Sequence, residues 1–176
     1  MFKIVLAALA AALVLTVSAS AGGGPKLSTF GTGHSFVNGD ECAVFNSAGT
    51  YGGCYRKHTS NALLSKVHVS FTSLADNGGG APRFSIPIDR NGDKLTDVYA
   101  FLDVNGCGNA FVSTDQSNCV VNMNDGSGPY ANWAALAAAH PTWRVARKDD
   151  PHNATEPFII ADVQGDYLVT DVSLSY

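Results

Sequence analysis

The densest group of metal-capable oxygens in this chain is the run Asp89-Arg90-Asn91-Gly92-Asp93-Lys94-Leu95-Thr96-Asp97. Counted from Asp89, side-chain oxygens fall at positions 1, 3, 5 and 9 through Asp89, Asn91, Asp93 and Asp97, and Leu95 offers a backbone carbonyl at position 7. A hard cation such as Ca²⁺ takes six to eight oxygens at about 2.3–2.6 Å, and alternating ligands in a turning loop converge on one point. Three carboxylates so close repel one another unless a cation or hydrogen bonds compensate, and Lys94 is a partial answer. The expected cofactor is therefore structural Ca²⁺, held by Asp89, Asn91, Asp93, Leu95 and Asp97. The alternative is a polar hairpin turn that holds no ion.

These positions resemble the calcium loops of dockerins, thrombospondin type 3 repeats and integrin-type propeller repeats, which share an Asp-x-Asn-Gly-Asp-Gly run. The resemblance covers about nine residues. It departs at position 6, where those families use Gly and this chain has Lys94, and at position 12, where Ala100 stands in place of a bidentate Glu. Lys94 adds a positive charge and loses the permissive turn residue, which implies modest affinity. The flanking segments read as strands, which separates the loop from the helix-flanked EF-hand. A second cluster, Asp103-Val104-Asn105-Gly106, is too short for a site of its own. Asp103 either completes the first site or lies on the surface.

The elements that must position such a loop are predominantly β. Short apolar runs are broken by turn clusters every eight to twelve residues, the pattern of a sandwich or barrel. Val67, Val69 and Phe71 alternate with His68, Ser70 and Thr72; Phe84, Ile86 and Ile88 alternate in the next run, where Pro87 signals an edge or a bulge. From Asp97 to Val104, Val98, Ala100, Leu102 and Val104 take one face and Tyr99, Phe101 and Asp103 the other. Further strands are expected at 110–113, 119–123, 142–146, 157–161 and 167–174. One segment, about 130–140, has a helical period: Trp133, Leu136, Ala137 and His140 form one stripe, Asn132 or Ser127 caps it and Pro141 stops it. The expected fold is an all-β, jelly-roll-like antiparallel sandwich of about nine strands with this one short helix.

Four cysteines occur, Cys42, Cys54, Cys107 and Cys119, at two equal separations of twelve. Three connectivities are possible, and the matched, turn-rich intervals favour Cys42–Cys54 and Cys107–Cys119. Neither spacing suits a zinc knuckle or a redox motif.

Catalytic signatures are sparse. The sequence holds no Gly-x-Ser-x-Gly elbow, no His-Glu-x-x-His helix and no phosphate- or dinucleotide-binding loop. A glycosidase needs two carboxylates across a cleft, and Asp115, Asp125 and Asp162 are the candidates.

The segment ending in Tyr167, Val169, Asp171, Val172 and Leu174 resembles the closing strand of galactose-binding-like jelly rolls, the fold of many carbohydrate-binding modules. The resemblance covers about ten residues. It implies a sugar-binding module, in a fold where structural calcium is common. Such a module stacks aromatics on the apolar face of a pyranose, and the candidates are Tyr51, Tyr55, Tyr99, Phe101 and Tyr130. In the alternative, Tyr99 and Phe101 pack beneath a loop or the helix.

Composition sets the remaining bounds. Residues 1–21 read as a secretory signal peptide: Lys3 near the start, an apolar run from Ile4 to Val17, and Ala19-Ser20-Ala21 as the cleavage site. The other 155 of 176 residues, 22–176, suit a single domain and carry a net charge of −5, against −4 for the whole chain. That charge argues against nucleic acid, and an apolar run of fourteen residues falls short of the ~20 that span a membrane. Thirteen Asp against two Glu, with 18 Gly, suit both turns and oxygen-ligand loops. The sequence thus points to a secreted, extracellular, calcium-stabilised module with polysaccharide or a cell-surface glycan as partner. A small hydrolase of extracellular or cell-wall polymer and an envelope or matrix structural protein are the alternatives. Asn153-Ala154-Thr155 is a glycosylation acceptor if the source is eukaryotic.

Overall fold

A computed structural model describes residues 26–57, 60–75, 78–147 and 156–176. The signal segment and Asn153 lie outside them. The fold is an antiparallel β-sandwich with a jelly-roll-like path. One sheet, here sheet A, orders β1 (Ser28–Gly31), β4 (Gly52–Tyr55), β11 (Phe158–Ala161), β6 (Arg83–Asp89), β7 (Val98–Asp103) and β9 (Asn122–Met123), with β10 (Arg144–Val145) also on β6. Sheet B orders β2 (His34–Asn38), β3 (Glu41–Asn46), β12 (Gly165–Ser175), β5 (His68–Ala75) and β8 (Phe111–Ser113). The path is nested: β3 and β5 flank β12 in one sheet, and β4 and β6 flank β11 in the other.

Alternation in sequence becomes the two sides of each sheet, because successive strand residues point to opposite faces. Val98, Ala100 and Leu102 are buried, while Tyr99, Phe101 and Asp103 face outward from β7. Phe84 of sheet A meets Phe71 of sheet B in the core, ring centroids 5.0 Å apart, and both are fully buried. Burying such a side chain is worth about 1.5–3 kcal/mol. The disulfide Cys42–Cys54 ties β3 to β4, joining the two sheets, and Cys107–Cys119 closes the loop that leads into β9. The local pairing expected from the spacing is the one present.

Three details differ from the sequence reading. The described residues contain twelve strands, because 28–55 forms four that carried no clean alternation. They contain two helices, not one: α2 (Trp133–Ala139) is the expected helix, and α1 (Val104–Cys107) precedes it. The single turn α1 forms because Asp103 caps it, accepting from the Gly106 amide at 2.7 Å, and Gly108 closes it with φ 71°. Asp103 is thus a cap rather than a ligand of the acidic loop. Third, Pro87 lies on a central strand. It sits where β6 changes partner, between Ser85, which faces β11, and Ile88, which faces β10, so its missing amide interrupts neither ladder.

Helix α2 follows its expected chemistry. Asn132 Oδ1 accepts from the Ala135 amide, and Trp133, Leu136 and Ala137 are buried. Trp133 donates its indole N–H to the Leu64 carbonyl at 2.8 Å, which satisfies the polar end of a buried ring.

Candidate functional site

The outer face of sheet A is an aromatic surface, built by strand register. Tyr55 of β4 stands opposite Phe158 of β11, Phe158 opposite Ser85 of β6, and Ser85 opposite Phe101 of β7. Phe30 joins from β1: its ring centroid lies 6.3 Å from Tyr55 and 5.4 Å from Phe158, edge-on at 86°. The strip continues to Tyr51, 6.5 Å from Phe30, and to Tyr99, 6.0 Å from Phe158. Phe30, Tyr55 and Phe158, with Glu156, line a cleft of about 250 Å³. Gly53 is what lets Phe30 lie down. A Cβ there would come within 2.7 Å of the Phe30 ring and collide with the Ile159 carbonyl oxygen.

Polar groups border the strip. Arg83 lies over the Phe101 ring at 5.1 Å and grips Asp162 with both guanidinium nitrogens, at 2.7 and 2.6 Å. The hydrogen bonds from Arg83 hold the Asp162 carboxyl below the ordinary carboxylate range against partial burial. Ser85 is buried within the row between Phe158 and Phe101.

Four of the five aromatics expected from sequence, Tyr51, Tyr55, Tyr99 and Phe101, therefore share one face. Tyr130 is elsewhere. Its hydroxyl bonds His140 Nε2 at 2.7 Å, and the His140 ring stacks on Trp143 at 3.5 Å. Arg90 lies 4.4 Å from the same indole and pairs with Asp125 at 2.6 Å. Sequence reasoning missed Phe30 and Phe158. Phe158 lies in a run that is apolar throughout, Phe158-Ile159-Ile160-Ala161, so its outward side shows only in the structure.

The acidic loop connects β6 to β7 at one end of sheet A. Asp89 is buried, and its carboxylate accepts three amides: Asn91 at 3.2 Å and Gly92 at 2.6 Å through Oδ1, and Lys94 at 2.9 Å through Oδ2. Asn91 Oδ1 accepts from Asp93 N, Asp93 Oδ1 from Leu95 N, and Asp97 Oδ2 from Arg90 N. Lys94 holds φ 73°, the left-handed conformation for which glycine is favoured, at the position where the resembled loops carry glycine. The Asn91 amide nitrogen lies 3.5 Å from both an Asp93 and an Asp97 oxygen, so these two carboxylates approach a common point. As the side chains stand, no group of three or more His, Cys, Asp or Glu among the described residues is gathered for a metal. The side-chain donors Asp89, Asp93 and Asp97 are oxygen, the ligand type of a hard cation, while Asn91 presents its amide nitrogen to Asp93 and Asp97 and its Oδ1 to the Asp93 amide.

The carboxylates considered for hydrolysis lie apart, each with its own partner: Asp115 with His68, Asp125 with Arg90, Asp162 with Arg83. No family model, no curated protein and no solved structure matches this chain. No helix among the described residues is long and apolar enough to cross a membrane.

Proposed function

We propose that this chain is a secreted, calcium-stabilised binding module whose ligand is polysaccharide or another extracellular glycan surface. The observation that carries this reading is the aromatic strip from Tyr51 to Tyr99 on the outer face of sheet A, with its cleft at Phe30, Tyr55 and Phe158. Ring faces accept the apolar faces of pyranoses, and rings mounted on adjacent strands are held rigidly, which lowers the entropy lost on binding. Two disulfides favour an oxidising compartment, in keeping with secretion. Calcium at Asp89, Asn91, Asp93, Asp97 and the Leu95 carbonyl would neutralise the loop's carboxylates and fix the β6–β7 connection. Its role here is structural, and the aromatic face does the recognising.

A glycan array run with and without calcium tests the reading. Binding to a defined set of glycans supports it, and silence in both conditions rejects it. A matrix or envelope role has one observation in its favour. Phe36, Phe45, Leu74 and Phe111 stand 61, 44, 59 and 42% exposed on the side chain's outer path along sheet B, an apolar surface suited to protein contact.

A further inference from the structure

We propose that the Arg83–Asp162 pair is the specificity-determining part of the glycan site, reading adjacent free hydroxyls on one sugar ring of a chain that lies across the strands. The inference rests on the polysaccharide reading and adds what sorts one sugar from another. Register places the pair beside the rings. Phe30 stands opposite Gly53, Gly53 opposite Ile160 and Ile160 opposite Arg83, so one row crosses β1, β4, β11 and β6 on the outer face of sheet A. The neighbouring row carries Tyr55, Phe158, Ser85 and Phe101. Three inter-strand spacings separate Phe30 from Arg83, roughly 14 Å. A ligand that touches both is an oligomer, and Arg83 meets a different sugar from the one in the cleft.

Rings grip the apolar face of a sugar but discriminate weakly among sugars that differ only in their hydroxyls, a task for hydrogen-bonding groups. Arg83 is held for that task from two sides. Its guanidinium lies 5.1 Å over the Phe101 ring centroid, and both terminal nitrogens bond Asp162 at 2.7 and 2.6 Å. A guanidinium carries five N–H donors, of which Asp162 takes two, and a carboxylate has about four lone-pair sites, more than Arg83 fills. Donors and acceptors therefore stand side by side. Two neighbouring hydroxyls, each able to donate and to accept, complement that pattern. The two side chains keep 19% and 36% of their surface exposed, so the pair is reachable from solvent. The bonds from Arg83 also keep Asp162 ionised, so its acceptors persist into mildly acidic solution.

The probes are soluble oligomers of glucose, mannose, galactose and xylose and their methyl ethers, titrated against the full chain, with circular dichroism and melting curves as folding controls. The wild type is expected to rank the sugars and to lose roughly tenfold in affinity when the hydroxyls of its preferred sugar are methylated. Arg83→Lys keeps the charge but not the planar fork, and Asp162→Asn keeps the shape but not the carboxylate. Each should weaken the preferred sugar roughly tenfold, flatten the ranking and make methylation nearly neutral, and either variant suffices if the other does not fold. Phe158→Ala should weaken every sugar and preserve the ranking. Folded variants that keep both the ranking and the methylation penalty overturn the pair's role and leave the polysaccharide reading standing. A uniform loss across all sugars with a lower melting temperature and the ranking intact also overturns it, making the pair a structural clamp between β6 and β11. Failure of every sugar with the wild type overturns both.

Discussion

Phe158 and Tyr55 stand directly opposite each other on β11 and β4, segments far apart in the chain, and their rings wall the same cleft. Directly opposed residues on one sheet face interact as a unit. The aromatic face is therefore made by a long-range strand pair rather than by any local motif. Its integrity depends on the backbone under Phe30. Gly53→Ala is expected to push the Phe30 ring aside and strain the β4–β11 ladder, since the added carbon meets both the ring and the Ile159 carbonyl. A loss of about 1–3 kcal/mol in chemical denaturation, the range for overpacking, checks it. An unchanged midpoint would mean that Phe30 does not rest there.

Lys94 sets up a second test. A non-glycine residue in the left-handed region costs roughly 1–2 kcal/mol, and Lys94 is held there with its amide on Asp89. Lys94→Gly should stabilise the fold by about 1 kcal/mol even without metal, raising the melting temperature by about 2–4 °C. It should also tighten calcium binding, because it removes a positive charge beside the carboxylates. A lower melting temperature in calcium-free buffer would refute the strain argument.

Calcium itself should act through linkage. An ion that binds the folded loop and not the dispersed carboxylates stabilises by about 2.7 kcal/mol at a hundredfold excess over Kd. The melting temperature should then rise by about 5–10 °C and fall back with chelator. Asp93→Ala is expected to abolish most of the rise, and Asp40→Ala, an exposed turn residue, to leave it intact. A melting curve indifferent to calcium and chelator would make the 89–97 segment an ordinary acidic turn.

The pH dependence has two predicted windows. His140 is held below its usual 6.5 by burial and then by the Arg90 charge, so the unfolded state binds the proton more readily. Stability from neutral His140 is full above pH 6.5 and declines as pH falls below it toward the lower folded value. His140→Gln should remove that slope. Asp125, lowered from 3.8 to about 2 by hydrogen bonds from Ser127 with help from Arg90, acts at lower pH. Its contribution is present above pH 3.8 and disappears as pH falls toward about 2. Urea midpoints measured from pH 7 to pH 2 on the wild type, His140→Gln and Asp125→Asn separate the two.

The disulfide across the sheets supplies a stability test free of ligand. A loop of 12 residues closed by Cys42–Cys54 is worth about 3 kcal/mol in the chain-entropy account. The double change Cys42→Ala and Cys54→Ala should lower the melting temperature by about 6–12 °C while leaving the far-UV circular dichroism of the folded state unchanged.

What the sequence discloses follows from what is local. The alternation of β5 and β7, the Trp133–Leu136–Ala137 part of the helical stripe and the paired cysteine intervals all act within a dozen residues and appear as expected, whereas β6 is buried on both faces from Phe84 to Asp89 and His140 is the C-cap rather than a member of the stripe. Strand β4 was hidden because Gly52 and Gly53 replace side chains with close backbone packing, β3 because apolar Ala43 and Phe45 take the outward positions between buried Cys42, Val44 and Asn46, and β2 because it is exposed along most of its length. Helix α1 is a single capped turn containing Gly106, too short for a period. Tyr51, Tyr55, Tyr99 and Phe101 were recognisable as aromatics off the core. Only register could show that Phe30 and Phe158 join them and that Tyr130 instead serves the His140–Trp143 stack.

The central claim is that the outer face of sheet A recognises glycan, and the most direct measurement is a glycan array comparing wild type, Tyr55→Ala and Phe36→Ala, each checked for folding by circular dichroism. The account predicts that wild type and Phe36→Ala bind the same glycans and that Tyr55→Ala loses them. No glycan bound by the wild type, or binding lost in Phe36→Ala and kept in Tyr55→Ala, would contradict it.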